Sequence, residues 1–298
     1  MPVGAAGAAP SPEGADPVDR SVAATARELV VCSHPLPTVA VTAISAGLAV
    51  LAGNSAGRST LVTAAVFTGQ LSIGWSNDRI DSARDRDAGR TDKPLAVAAV
   101  SPAVVTSALV VAVLATVPLS LALGYRAGGA ALTGALCGWL YNLGLKATIW
   151  SWAPYAVAFG ALPAIATLAL PTHPWPAAWA LASGALLGVA AHLANTLPDL
   201  AADAVAGIRG LPHRLGANVT AATGAALLLG ATAVIVVGSS TGPVSGPRWA
   251  TFAVVALLAV VAEELGRRRP TSQAFFLVTV LVAGADVVLF ALAGGTLY

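Results

Sequence analysis

The sequence predicts an all-α, polytopic membrane protein, a bundle of nine transmembrane helices around a central cavity with cap loops on the cytoplasmic side. Three observations predict this fold class. The 298 residues have a mean hydropathy of +0.77, and only 10% are charged, whereas soluble domains carry about 25% charged residues. The apolar residues form long runs, and most basic residues fall between them on one side. No nucleic-acid partner is expected.

The N-terminal segment differs from the rest of the chain. Residues 1–30 are rich in Ala, Pro and Gly, carry Glu13, Asp16 and Asp19, and have no basic region leading into an apolar core. This composition predicts a disordered cytoplasmic leader and not a cleaved signal peptide. Residues 31–298 are therefore predicted to form one transmembrane domain.

Nine apolar runs bounded by Gly, Pro and charged residues follow the leader. Most approach the length of about 20 residues that a helix needs to cross a bilayer. In chain order the runs are 36–53, 59–77, 100–124, 128–145, 149–170, 175–197, 219–239, 249–266 and 273–293. We therefore expect nine membrane-spanning helices.

The basic residues predict the orientation, because Lys and Arg accumulate in cytoplasmic loops. Only Arg58, Arg126 and Arg248 fall on one side of the nine-span arrangement. The other side holds Arg20, Arg27, Arg79, Arg84, Arg86, Arg90, Lys93, Lys146, Arg209, Arg214, Arg267, Arg268 and Arg269. We therefore expect a multi-pass protein of the cell membrane with its N-terminus in the cytoplasm and its C-terminus outside.

An acidic pattern occurs twice in this apolar chain. Each set has the spacing i, i+4, i+8, which on a helix places three side chains along one face. The sets, each followed by glycine, are Asn77, Asp81, Asp85 and Gly89, and Asn195, Asp199, Asp203 and Gly207. They end the second and sixth predicted spans, and four spans return the chain to the same side, which is typical of a parallel repeat. We expect the two sets to face each other across the cavity at its cytoplasmic end.

These carboxylates require positive charge nearby. A charged residue near the middle of a membrane helix costs about 2.5–3.5 kcal/mol, and clustered acids repel one another. Magnesium prefers carboxylate and phosphate oxygens, whereas the isolated Cys32 and Cys137 show no zinc-ligand spacing. The flanking Arg and Lys residues are suited to phosphate oxygens. The residues therefore predict magnesium as the cofactor and a diphosphate on an apolar tail as the ligand.

The two motifs resemble those of the UbiA-type superfamily of intramembrane prenyltransferases. Residues 77–81, read as Asn-Asp-Arg-Ile-Asp, resemble the family's first aspartate-rich motif, and 93–95, read as Lys-Pro-Leu, resemble the basic-Pro segment after it. The second motif is matched by the set that begins at Asn195. Smaller matches in the right order are His34-Pro35 and Tyr141 with Lys146. The resemblance covers nearly the whole chain from residue 27.

The resemblance implies a magnesium-dependent enzyme that moves an isoprenyl group from an isoprenoid diphosphate donor to a lipophilic, aromatic small-molecule acceptor among membrane lipids. It implies metal ligation by Asn77, Asp78, Asp81, Asp85, Asp199 and Asp203. It implies diphosphate binding by Asn77, Arg90, Lys93, Lys146, Tyr141 and Asn195. Catalytic roles would fall to Asp78, Asp81, Asp199 and Lys146.

Two other functions remain open at this point. A terpene cyclase of the same family would use the same motifs without an acceptor. A transporter would place its acids near the centre of broken spans, whereas here they lie at the cytoplasmic ends. Asp286, alone in the ninth run, is a further open case: an intramembrane acid is functional by default, yet one partner hydroxyl could satisfy it.

Overall fold

The computed structural model describes residues 22–240, 242–292 and 297–298, which are helical or in turns with no β-strand among them. Two 3₁₀ turns span Leu145–Ala147 and Leu197–Asp199. The α-helices are α1 (Val22–Cys32), α2 (Pro35–Leu51), α3 (Ala56–Asp87), α4 (Pro102–Ala122), α5 (Tyr125–Leu143), α6 (Ala153–Leu168), α7 (Ala178–Thr196), α8 (Leu200–Val205), α9 (Leu211–Leu215), α10 (Ala217–Gly238), α11 (Gly246–Arg268) and α12 (Ala274–Leu292).

Helix α1 begins inside the predicted leader, most of which lies outside the described residues. Nε1 of Trp75 on α3 donates a hydrogen bond to the carbonyl oxygen of Leu29 at 2.9 Å. Cys32 at the end of α1 is fully buried beside Leu95 and Val100. Residues 22–30 therefore pack on the helical bundle through α1, and the leader stays a prediction for the residues before them.

Four helical stretches of the described residues are long and apolar enough to cross a membrane: Pro102–Ala122, Ala178–Val205, Ala217–Gly238 and Gly246–Arg268. The pair α1 and α2 adds a fifth if it forms one broken span, bent by 68°. Each of the nine predicted runs overlaps one helix of the structure, but α6 and the apolar part of α12 are shorter, and α3 is richer in polar residues. The nine-span count therefore stays a prediction.

Local sequence explains where several helices begin and end. The Ser55 and Ser101 side chains cap α3 and α4 by accepting hydrogen bonds from backbone N–H groups three residues on, which satisfies donors that the helix leaves unpaired. Gly89 and Gly207 follow α3 and α8 with φ of +68° and +79°, a conformation that glycine adopts without steric cost. Both glycines turn the chain immediately after an acidic motif.

Helices that are consecutive in the chain pack side by side, and α12 returns to contact α2, α7, α10 and α11, which closes the bundle. Small residues allow close packing between α6 and α7. A Cβ atom at Gly188 would meet the Tyr155 carbonyl oxygen and would lie 2.7 Å from Cβ of Phe159. The close contact fixes α7, which ends just after Asn195 of the second motif, against α6.

The second motif does not lie on one regular α-helix, contrary to the expectation from its spacing. Helix α7 ends at Thr196, the 3₁₀ turn Leu197–Asp199 follows, and α8 begins at Leu200. Pro198 explains the break, because proline has no N–H to donate and its ring clashes with the preceding turn of an α-helix. The turn changes the angle between Asn195 and the aspartates that follow.

Candidate functional site

Asp78 on α3 forms the first acid–cation group of the site. It is 2% exposed, and its Oδ1 lies 2.8 Å from Nε2 of His34 and 2.8 Å from Nζ of Lys93. His34 sits at the bend between α1 and α2 with φ +53°, a left-handed conformation uncommon for residues other than glycine. The bend brings a residue 44 positions away in the chain onto the first motif.

Asp81, nearly one turn further along α3, forms the second group. Its buried carboxylate pairs with the guanidinium of Arg84 and with Nζ of Lys146. Lys146 lies in the 3₁₀ turn after α5 and is 7% exposed. Burial, with the nearby positive charge of Arg84, lowers the pKa of Lys146 to about 8. A buried ammonium of this kind is stabilised by an acceptor with negative charge.

Arg90 joins the two acidic motifs. It follows the turn at Gly89, and its guanidinium donates to both carboxylate oxygens of Asp92 at 2.8 Å. The same Nη2 atom lies 3.2 Å from Oδ1 of Asp199 in the second motif. The hydrogen bonds from Arg90 hold the pKa of Asp92 at about 2, and the carboxylates raise the pKa of Arg90 above its ordinary value.

The two asparagines of the motifs occupy different environments. Asn77 donates to Oδ1 of Asn142 at 3.0 Å, and Asn142 is anchored in turn by donating to the Ile73 carbonyl oxygen at 2.9 Å and to the Ser76 hydroxyl at 2.8 Å. Asn195 is exposed. The first asparagine is therefore held by a fixed network between α3 and α5, whereas the second is accessible.

A buried polar cluster surrounds His192, which lies three residues before Asn195 of the second motif. His192 on α7 is 1% exposed, and its Nε2 lies 3.0 Å from the Ser151 hydroxyl, which also accepts a hydrogen bond from the backbone N–H of Leu211 at 3.0 Å. The rings of Tyr141 and Tyr155 lie 5.6 and 4.9 Å from the imidazole. These contacts tie the loop after α5 and the segment after α8 to α7.

The last acid of the second motif also has a basic partner. Oδ2 of Asp203 lies 3.5 Å from Nε2 of His213 on α9. Asp85, by contrast, takes part in no ion pair among the described residues. No three His, Cys, Asp or Glu side chains of the described part of the chain are grouped so as to hold a metal ion. The carboxylate and amide oxygens are the donors that magnesium prefers, so their chemistry fits the ion, but in this structure Asp78 and Asp81 face cations.

The partners that hold the motif residues were not among the sequence-predicted site residues; they include His34, Arg84, Asn142, His192 and His213. His34 belongs to the His34-Pro35 match, and its role depends on the bend between α1 and α2. Arg84 is three residues from Asp81, and residues at this spacing are neighbours on a helix. The sequence alone therefore contained enough information to predict this pair. The buried partners Asn142 and His192 had no sequence signal.

An apolar cavity lies beside the first motif between α2, α3, α5 and α6. It encloses about 390 Å³ of empty space, part of it open to the surroundings. Its walls include Gln70 and Ile73, about two turns and one turn before Asn77 on α3, and Phe159 and Leu162 on α6. The site thus combines a charged end and an apolar chamber.

Comparison with known proteins finds one family and several similar folds. The model of the UbiA prenyltransferase family matches residues 38–280. The fold is similar to that of a UbiA homologue from Aeropyrum pernix K1, with a TM-score of 0.68 and 17% identity over 84% of this chain and 96% of that one. It is also similar to a UbiA homologue from Archaeoglobus fulgidus bound to GPP and Mg²⁺, with a TM-score of 0.67 and 12% identity over 88% and 99% of the two chains.

A third similar structure is described as a digeranylgeranylglyceryl phosphate synthase in membranes. Its TM-score is 0.65 and its identity 15%, over 91% of this chain and 98% of that one. No curated protein matches the chain. At these identities the solved structures show a shared fold.

Proposed function

The chain belongs to the UbiA prenyltransferase family, and on this premise we propose that it transfers an isoprenyl group from an isoprenoid diphosphate to a lipophilic, aromatic acceptor inside the membrane. We propose further that residues 31–298 form a nine-span domain of the cell membrane, with the N-terminus in the cytoplasm. Support comes from the solved relatives, one of which binds GPP and Mg²⁺, and from the charged site beside an apolar chamber.

The contact of Arg90 with Asp199 is the observation that carries the proposal. It links the loop after the first motif to the second motif at 3.2 Å, so that one ligand could reach both. Arg90, Lys93 and Lys146 thus provide three cations. Each of them is paired with an acid of one of the motifs. A guanidinium forms two parallel hydrogen bonds to phosphate oxygens, and an ammonium contributes a point charge.

When a donor binds, its diphosphate competes with the carboxylates for these cations. Arg90, Lys93 and Lys146 then hold phosphate oxygens and stabilise the negative charge that develops on the leaving group. The acids released from the cations, with their neighbours, would hold magnesium: Asn77, Asp78, Asp81, Asp85, Asp199 and Asp203. When bound, magnesium supplies a positive charge that stabilises the departing diphosphate.

The remaining residues of the proposed site orient the donor and exclude water. Asn195, which is accessible, and the hydroxyl of Tyr141 are proposed to contact the diphosphate. The isoprenoid tail would occupy the apolar cavity beside Asn77, whose wall includes Ile73 and Phe159. A dry chamber protects a reactive allylic cation from water until an acceptor captures it.

The test is a product assay on the purified protein in lipid nanodiscs. Allylic diphosphates of increasing length are supplied with magnesium, with and without a panel of aromatic acceptors, and pyrophosphate release and organic products are measured. We expect prenylated acceptor and magnesium-dependent release in the wild type, at least 100-fold less in Asp81→Asn, and little change in Asp87→Asn, which alters an exposed acid on the same helix.

Two results would contradict the proposal. A cyclic product formed without acceptor would assign the terpene cyclase reaction instead. If no donor gives pyrophosphate release, and Asp81→Asn and the wild type give the same result in the assay, the proposal that the protein is an enzyme is wrong.

A further inference from the structure

A second pocket lies away from the acidic motifs, between α2, α6, α7, α10 and α12. It contains about 570 Å³ of empty space, part of it open to the surroundings. Its walls are almost entirely apolar and include Leu48, Phe159, Trp179 and Val287. No Lys, Arg or His side chain of the described residues lines it.

Asp286 is the feature of this pocket that apolar packing does not explain. The residue is 2% exposed and lines the pocket. Its Oδ2 accepts a hydrogen bond from the Thr232 hydroxyl at 3.2 Å, so one partner hydroxyl is indeed present. Its Oδ1 is buried without a hydrogen-bond partner among the described residues. One hydroxyl therefore satisfies only half of the carboxyl group.

The described lining of the pocket gives Oδ1 of Asp286 no hydrogen-bond partner. Trp179 and Ser183 are the other lining residues with a polar side-chain atom, and the Ser183 hydroxyl already donates to the Ala180 carbonyl oxygen at 3.1 Å. A molecule with an apolar body and one hydrogen-bond donor matches both the walls and the unpaired oxygen.

The pocket is separate from the charged site. Ser183 precedes Asn195 by 12 residues on α7, which corresponds to about 18 Å along a helix. Phe159 and Leu162 form part of the wall between this pocket and the cavity beside Asn77, since both line each of them. A group bound beside Ser183 is therefore well separated from Asn195 of the second motif.

We propose that this second pocket binds a lipophilic molecule with one neutral hydrogen-bond donor, a hydroxyl group, which donates to Oδ1 of Asp286 while the apolar body fills the space between the helices. A neutral donor suits the site better than a cation, because a buried ion pair must offset the desolvation of both charges. The inference does not depend on prenyl transfer. The hydroxyl could belong to a lipid alcohol or to a phenol.

The test uses a dodecanol probe that carries a photoreactive diazirine and an alkyne, applied to the purified full-length protein in nanodiscs. Labelled residues are located by mass spectrometry and labelling is challenged with 1-dodecanol, dodecyl methyl ether, dodecylamine or 4-nonylphenol. We expect labels on the pocket walls contributed by α7 and α12, and competition by dodecanol at a concentration at least tenfold lower than by the ether. Comparison of dodecanol with nonylphenol distinguishes an aliphatic from an aromatic ligand.

Variants assign the preference to the acid. Asp286→Leu should reduce the preference for alcohol over ether to less than twofold, whereas Ser183→Ala should retain it. The wild-type comparison decides the matter even if Asp286→Leu does not yield monodisperse protein. Equal competition by alcohol and ether, stronger competition by the amine, or labelling abolished by geranyl diphosphate with magnesium would each overturn the proposal.

Discussion

Arg90 contacts Asp92 in the loop after the first motif and Asp199 in the second, so its replacement tests whether the two motifs act on one ligand. A charge-assisted hydrogen bond contributes about 1.5–3 kcal/mol, which corresponds to a loss of about 10- to 150-fold in affinity when it is removed. Arg90 gives up its two carboxylate contacts when it takes a phosphate oxygen. We therefore expect Arg90→Ala to lower kcat/KM for the donor by the smaller of these factors, about tenfold.

The assay for Arg90 is pyrophosphate release at varied donor concentration and saturating magnesium, together with equilibrium binding of a non-reactive thio-diphosphate analogue. Arg90→Lys retains the charge but loses the fork, so we expect an effect of about threefold. Arg79→Ala is the matched control, because Arg79 is an exposed arginine on α3 that donates to Thr106 at 3.2 Å and contacts no motif acid. Equal losses in Arg90→Ala and Arg79→Ala would refute the reasoning.

Three further predictions concern the metal, the packing and the cavity. Asp85→Asn should raise the magnesium concentration for half-maximal activity about tenfold, because it removes one carboxylate ligand. Asp87→Asn should leave that concentration unchanged. Equal magnesium titrations of the two variants would contradict the assignment of Asp85 as a metal ligand. Gly188→Ala should destabilise the protein by about 1–3 kcal/mol through overpacking against α6, measured as a lower midpoint of thermal unfolding. Gly129→Ala should leave the midpoint unchanged, because an added Cβ there meets nothing within 4 Å. Leu162→Trp should shorten the longest donor accepted, read from product masses, and an unchanged length limit would place the tail elsewhere.

Much of the first motif could be predicted from the sequence because its parts are local. Asp78 and Lys93 lie within 15 residues of each other, and the turn that joins them requires the glycine that the sequence shows. The helix class and the position of each apolar run follow from hydropathy alone. The bounds of α3 do not, because its polar continuation from Asn77 to Asp87 has no apolar signal of a helix.

The pairings between distant segments could not be predicted from local spacing, although the resemblance implies a place for Lys146 at the site. His34 reaches Asp78 only because the chain bends at a residue with positive φ, and Lys146 reaches Asp81 only through the packing of α5 on α3. The regular spacing of the second motif predicted one helical face, but Pro198 replaces part of that helix with a 3₁₀ turn. A pattern of residue types shows which groups are present, whereas the angle between them depends on tertiary structure.

The pairing of motif acids with cations from neighbouring loops has a consequence for turnover in the proposed enzyme. Asp78 and Asp81 hold the loops after α3 and α5, so donor binding would exchange one set of ion pairs for another. The measured affinity is then the difference between the two sets and is smaller than the sum of the contacts made. The same exchange in reverse favours product release, because the carboxylates can reclaim their cations as pyrophosphate departs.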